Sequence, residues 1–317
     1  MNNIGIKLWS EAIDLIPGGN SLLSKRPERF SPNHWPTYFK SAKGCTVKAL
    51  NNKNYIDLTQ MGVGACILGY SYKPLDDAVI KTIKKSINGT LNCLEELELA
   101  KLLLKNDKFA GSVKFARTGG EAMAIAIRIA RAASGKDKVA FSGYHGWKDW
   151  YLASNISNSD ALDKQLLPGL SVLGVPKGLK NTSIPFFYNS INSFKELISK
   201  HKDIGVICIE GARNELPTKS FIKEISTYAK KNNVILICDE ITSGWRITNG
   251  GSYKISGIKP DIVVYGKGMG GGYAISAIVG KKNIMDFAQN TFISSSMWTE
   301  RIGFVAAINT IKIFQKK

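Results

Sequence analysis

Four short segments of this chain combine residue types and spacings that could do chemistry. In VILICDEITSGWR (234–246) an apolar run ends in Asp239 and Glu240. Ligands of open α/β sheets bind beyond the carboxyl ends of the strands, so a carboxylate there can act as a metal ligand, a general base or a counter-ion. It can equally cap the helix that follows. In DIVVYGKGMGGGYAISAIVG (261–280) a second apolar run leads to Lys267, flanked by Gly266, Gly268, Gly270, Gly271 and Gly272. Glycines let the backbone turn tightly and come close to a ligand. The lysine can bind a phosphate as a point charge. It can also form a Schiff base, if its surroundings lower its pKa enough to leave a free amine. The segment is no Walker A loop, because neither Ser nor Thr follows the lysine.

Two further segments add an anion cradle and an aromatic. ARTGGEAMAIAIRIARAASG (116–135) opens a helix on Gly119 and Gly120, where free backbone N–H groups and the helix dipole favour an anion. Thr118 and Glu121 have the spacing of a capping box. In FSGYHGWKDW (141–150), Tyr144, His145 and Trp147 sit beside Gly143 and Gly146, and an aromatic so placed can stack on a planar ring or fill a core.

The elements that must hold these residues alternate in type. Apolar runs at 113–117, 138–143, 204–210, 234–240, 261–266 and 274–280 are short and continuous, as strands buried on both faces are. Amphipathic helices are predicted over 7–16, 74–88, 94–106, 118–133 and 220–231, and a hairpin over 44–58 with its turn at Asn51–Asn54. The fold class that results is α/β around a mainly parallel sheet.

Composition narrows the function classes. The chain has 317 residues and a formal net charge of +18, but its 43 basic residues include only eight arginines. Nucleic-acid readers concentrate charge in a stripe and favour arginine for bidentate contacts. Here lysines are scattered in ones and twos, and no nucleic-acid partner is expected. The five cysteines form no CxxC and, with three distant histidines, predict reduced thiols and no metal site. No apolar run spans a bilayer and the N-terminus does not read as a secretory signal, so a cytoplasmic location and no membrane partner are expected.

Taken in order, the glycine-opened helix, the Tyr-His-Gly, the strand ending in Asp-Glu and the Gly-Lys-Gly loop resemble the class III aminotransferases of pyridoxal-phosphate (PLP) fold type I. LWSEAIDLIPGGNS and GCTVKALNNKNYIDLTQMGVGACILGYSYKPL are similar to the opening of glutamate-1-semialdehyde aminomutases, and the likeness runs over residues 7–317. The resemblance implies an aspartate-aminotransferase-like fold. Residues 1–65 would contribute to a small domain, 66–299 would form the PLP-binding large domain, and 300–317 a helix leading to an absent C-terminal part. It implies PLP as cofactor, joined to Lys267, with Asp239 paired to the pyridine nitrogen. Gly119 and Gly120 would hold the phosphate, Tyr144 and Ile241 would cover the two ring faces, and His145 and Glu210 would lie at the cofactor. Ser296, with Thr291 as the alternative, would reach the phosphate of the other subunit of a homodimer. The implied activity is amino-group transfer between small amino and carbonyl compounds. WTERIG (298–303) is similar to relatives tied to amino-sugar or surface-polysaccharide metabolism, with a tetrapyrrole aminomutase, or a truncated PLP-fold protein without catalysis, as the alternatives. Gly211 stands where the family has proline after the glutamate.

Overall fold

The computed structural model describes residues 4–59 and 61–316. The readings that touch residues 1–3, Gln60 and Lys317 lie partly outside the described residues. Two sheets are present. A small antiparallel meander is built from β1 (Phe39–Lys43), β2 (Thr46–Ala49) and β3 (Asn54–Ile56). The expected hairpin is its β2–β3 half, turned by Asn52 with φ +62°. β1 was not expected, because FKSAK is mostly exposed and offers no apolar alternation.

The large sheet has seven strands: β4 (Ser112–Ala116), β5 (Lys138–Ser142), β6 (Ser183–Pro185), β7 (Ile204–Glu210), β8 (Ile235–Asp239), β9 (Ile262–Tyr265) and β10 (Ser276–Gly280). Their order is β4-β10-β9-β8-β7-β5-β6. β10 runs antiparallel to β4 and β9, and the other pairs are parallel. The central strands β7, β8 and β9 are apolar but for their carboxyl ends because both faces are covered. Ile235 and Ile237 of β8 pack on one side with Ile125, Ile129 and Phe141, while Leu236 and Cys238 pack on the other with Phe221, Ile225 and Val263. The period-2 alternation of side chains thus feeds two cores from one uninterrupted run. Each fully buried Ile or Leu contributes roughly 1.5–3 kcal/mol.

The helix Gly119–Ser134 covers one face and the helix Lys219–Asn232 the other. The predicted capping box is formed: Glu121 N donates to Thr118 Oγ1 at 3.3 Å and Thr118 N donates to Glu121 Oε2 at 2.8 Å. The expected helix over 74–88 is shorter, Lys73–Ile83. Ser86, with φ +78°, breaks it, and the exposed carbonyls beyond are taken by the C-terminal helix Arg301–Lys316. Arg301 Nη1 donates to Ser86 O at 3.0 Å and Arg301 N donates to Ile87 O at 2.9 Å. No helix among the described residues is long and apolar enough to cross a membrane.

Candidate active site

Parallel register brings the carboxyl ends of neighbouring strands level. Ser142 pairs with Ile209, Glu210 with Asp239, and Asp239 with Val264. The residues just beyond those ends therefore converge: Tyr144 and His145 after β5, Arg213 after β7, Thr242 and Arg246 after β8, Lys267 after β9.

Asp239 is 4% exposed and both of its oxygens are engaged. Oδ1 accepts from Ile241 N at 2.9 Å and Oδ2 lies 2.8 Å from His145 Nδ1. His145, 1% exposed, sits behind the carboxylate, with its Nε2 3.2 Å from Ser142 O. Both ring nitrogens face oxygen acceptors, an arrangement that favours the protonated ring. Burial opposes that charge, and Cys208 and the Asp239 carboxylate more than offset it, so His145 titrates well above the usual histidine range. A carboxylate has about four lone-pair positions, so Asp239 retains capacity to accept from a third donor.

Lys267 is partly buried, and its Nζ donates to Thr242 Oγ1 at 3.0 Å. Burial pushes its pKa below the ordinary lysine value against the pull of Asp239, and the Arg246 guanidinium adds to the lowering. A larger share of free amine follows, which is what a nucleophilic lysine needs. Its backbone has φ +38°, a left-handed conformation that costs a non-glycine residue about 1–3 kcal/mol unless its surroundings impose it. The neighbouring glycines allow that approach: a Cβ on Gly268 would meet Ile67 Cγ2 at 2.9 Å, and one on Gly266 would meet Ser276 Oγ at 3.0 Å.

Gly119 and Gly120 open their helix under Ile241 and Trp147. A Cβ on Gly119 would lie 3.0 Å from Ile241 Cδ1, and one on Gly120 3.4 Å from Trp147 Nε1. The amides of Gly119 and Gly120 donate to no protein atom among the described residues, as an anion site at a helix start requires. Tyr144 is half-buried with its ring edge-on to Tyr151 at 5.8 Å. Burial raises its pKa, and Asp239 adds to the rise. Glu210 is 6% exposed; it accepts from Tyr144 N at 3.2 Å and pairs with Arg213. Burial pushes its carboxyl up, against the pull of His145 and Arg213. At Gly143, with φ +114°, any Cβ would collide with the Glu210 carboxylate, so glycine alone lets this loop close on the acid.

Lys267, Asp239, Tyr144, His145, Glu210, Ile241, Gly119 and Gly120 are thus gathered at one end of the sheet. Ser296 is not. It is exposed on the turn Ser296–Thr299, held by Arg117, whose Nε donates to Met297 O at 2.7 Å. Thr291 lies on the same loop, its Oγ1 donating to Ala288 O at 3.1 Å. Glu240 is fully buried and turned away from the cluster. It accepts from Ser243 Oγ at 2.5 Å, Ser252 Oγ at 2.9 Å and Tyr253 N at 2.8 Å, a structural carboxylate that fixes the loop after β8. Sequence reasoning did not single out Thr242, Arg213 and Arg246, although Thr242 and Arg246 follow Asp239 within seven residues.

The aminotransferase class-III family model matches residues 30–317. The 3-aminobutyryl-CoA aminotransferase of Cloacimonas acidaminovorans is 34% identical over 320 residues, covering 98% of this chain and 73% of that protein. The glutamate-1-semialdehyde 2,1-aminomutase of Nitrosopumilus maritimus is 35% identical over 322 residues, again covering 98% and 73%. Among solved structures, an omega-transaminase from Sphaerobacter thermophilus superimposes with a TM-score of 0.86 at 21% identity, covering 98% of this chain and 73% of that one. A transaminase with PLP bound gives a TM-score of 0.86 at 22% identity, covering 99% and 74%. These two likenesses concern the fold.

Proposed function

The chain belongs to the class-III aminotransferases and is a PLP-dependent enzyme of amino-group chemistry, and from that premise we propose that Lys267 is the lysine that carries the cofactor. The supporting observation is the meeting of Lys267, its charge disfavoured by burial, with the Asp239–His145 pair at the ends of β8 and β9. Bound there, PLP supplies an electron sink for the carbon that loses its proton. The residues of this chain do the rest. Asp239, backed by His145, would accept the ring N–H. The free amides of Gly119 and Gly120 take the phosphate. Tyr144 and Ile241 would enclose the ring, and Glu210 would lie beside it. Lys267, its Nζ held by Thr242 Oγ1, would be the base that takes a proton from the substrate carbon and returns it.

The substrate is a small amine with a carbonyl counterpart. Transamination between two molecules is the first reading. An internal amino shift is the second, favoured by the name of the Nitrosopumilus relative. The test is a panel of amines added singly to the PLP-loaded protein. Transamination leaves the cofactor aminated and releases a stoichiometric carbonyl product. An internal shift yields an isomer with no net amination. No change of cofactor or amine with any member would count against both.

We further propose a homodimer in which Ser296, or Thr291 beside it, reaches the cofactor phosphate of the partner. Phe292 is 90% exposed and Leu91 is 90% exposed, and apolar surface of this kind is buried in subunit contacts. Sedimentation is expected to give a two-fold dimer. A monomer that takes up PLP with unchanged affinity would refute the shared site.

A further inference from the structure

Arg246 is the one guanidinium at this site that no carboxylate neutralises among the described residues. Arg213 is paired with Glu210, Arg117 with Glu300 and Arg301 with Glu95. Arg246 forms no ion pair with any described residue. Its Nε donates to Thr242 O and its Nη2 to Gly64 O, both backbone carbonyls. A guanidinium has five N–H donors, so with two used, three have no protein acceptor among the described residues. Arg246 is exposed as a residue, and partial burial of its guanidinium lowers its pKa from the ordinary arginine value.

Its position is fixed from two directions. Thr242 joins it to the candidate lysine, the carbonyl holding Arg246 and the hydroxyl accepting from Lys267 Nζ at 3.0 Å. Gly64, with φ +83°, lies between the two cations: a Cβ there would collide with the guanidinium and come within 3.9 Å of Lys267 Cδ. Any side chain at position 64 would close this gap. The Gly64 backbone therefore stands close to both the fixed cation and the candidate amine.

We propose that Arg246 is the specificity-determining residue of this site and that the substrate carries a carboxylate, which docks on its open N–H groups. A guanidinium presents a planar fork that matches a carboxylate with two parallel hydrogen bonds. A single carboxylate balances the single free charge. A phosphate dianion would bring excess negative charge toward Asp239 and Glu210, both buried nearby. The lowered pKa of Lys267 agrees with this layout, since Arg246 contributes to it.

This inference rests on Lys267 carrying the cofactor, and the test separates the two. The wild type, Arg246→Gln and Arg246→Lys are loaded with PLP, and covalent attachment is read by mass after borohydride reduction. If the wild type shows none at Lys267, the reading above fails. With attachment established, calorimetric titrations with glutarate and with its uncharged diamide test Arg246 itself. Glutarate is expected to bind Arg246→Gln roughly 10- to 100-fold more weakly than wild type, the range for losing hydrogen bonds to a charged group. Arg246→Lys should recover part of that loss, and the diamide should bind all three alike. Equal weakening of both probes would mark Arg246 as a latch for the Gly64 loop and overturn the proposal. Unchanged glutarate affinity, or no saturable glutarate binding by the wild type, would overturn it as well. If Arg246→Gln fails to fold, the ratio of glutarate to diamide affinity in Arg246→Lys decides: a lower ratio than wild type supports the proposal and an equal one overturns it.

Discussion

Replacing Lys267 with alanine is expected to abolish turnover while the protein still folds and still takes up cofactor without a covalent link. Three properties converge on this side chain: a place after β9 at the carboxyl end of the sheet, a pKa lowered by burial, and a hydroxyl partner in Thr242 at 3.0 Å. The variant removes both the amine that attacks and the base that moves the proton. General acid–base catalysis alone is worth about 10² to 10⁴-fold, so the combined loss should reach at least roughly 10⁴-fold. Stability should not suffer, because the group removed is one whose charged form burial disfavours, and position 267 keeps its backbone partners. Melting temperature, cofactor content after gel filtration and single-turnover rate together check the expectation. A variant turning over near the wild-type rate would contradict it.

Asp239→Asn is the second large effect. The amide is nearly isosteric and can still accept from Ile241 N, so the strand end should keep its shape. What goes is the charge. The substituted amide would offer the cofactor ring no anion, and it would leave the His145 ring buried against a neutral partner. His145 then loses the carboxylate that helps hold its pKa up, and burial drives it toward the neutral ring. The expected loss in rate is roughly 3 kcal/mol of transition-state stabilisation, about two orders of magnitude, with cofactor affinity falling less. The rate of substrate-carbon deprotonation, followed with a deuterated donor, is the measurement. An unchanged rate would remove Asp239 from the role given it here.

Much of this arrangement could be read from the chain before its structure. The runs that became β7, β8 and β9 are apolar without interruption because each feeds a core on both faces, and their ends therefore pointed to a ligand site. Lys267, Asp239 and Tyr144 lie in short segments whose glycines and strand ends carry their own local signal. Other features depend on distance in sequence. His145 meets Asp239 across 94 residues and Arg246 meets Gly64 across 182, and no local pattern announces either contact. The resemblance places His145 at the cofactor, and the structure adds its contact with the Asp239 carboxylate. β1 escaped notice because an exposed, lysine-bearing edge strand has no apolar face to betray it. Ser296 belongs to a different case: its proposed partner is a second copy of the chain, so a single chain leaves it exposed and apart from Lys267.

The most direct measurement is to load the protein with PLP, reduce it with borohydride, digest it and locate the modified residue by mass. The account predicts one pyridoxylated lysine, in the peptide that contains Lys267, and none in the Lys267→Ala variant. Modification of another lysine at full occupancy, with Lys267 unlabelled, would contradict it.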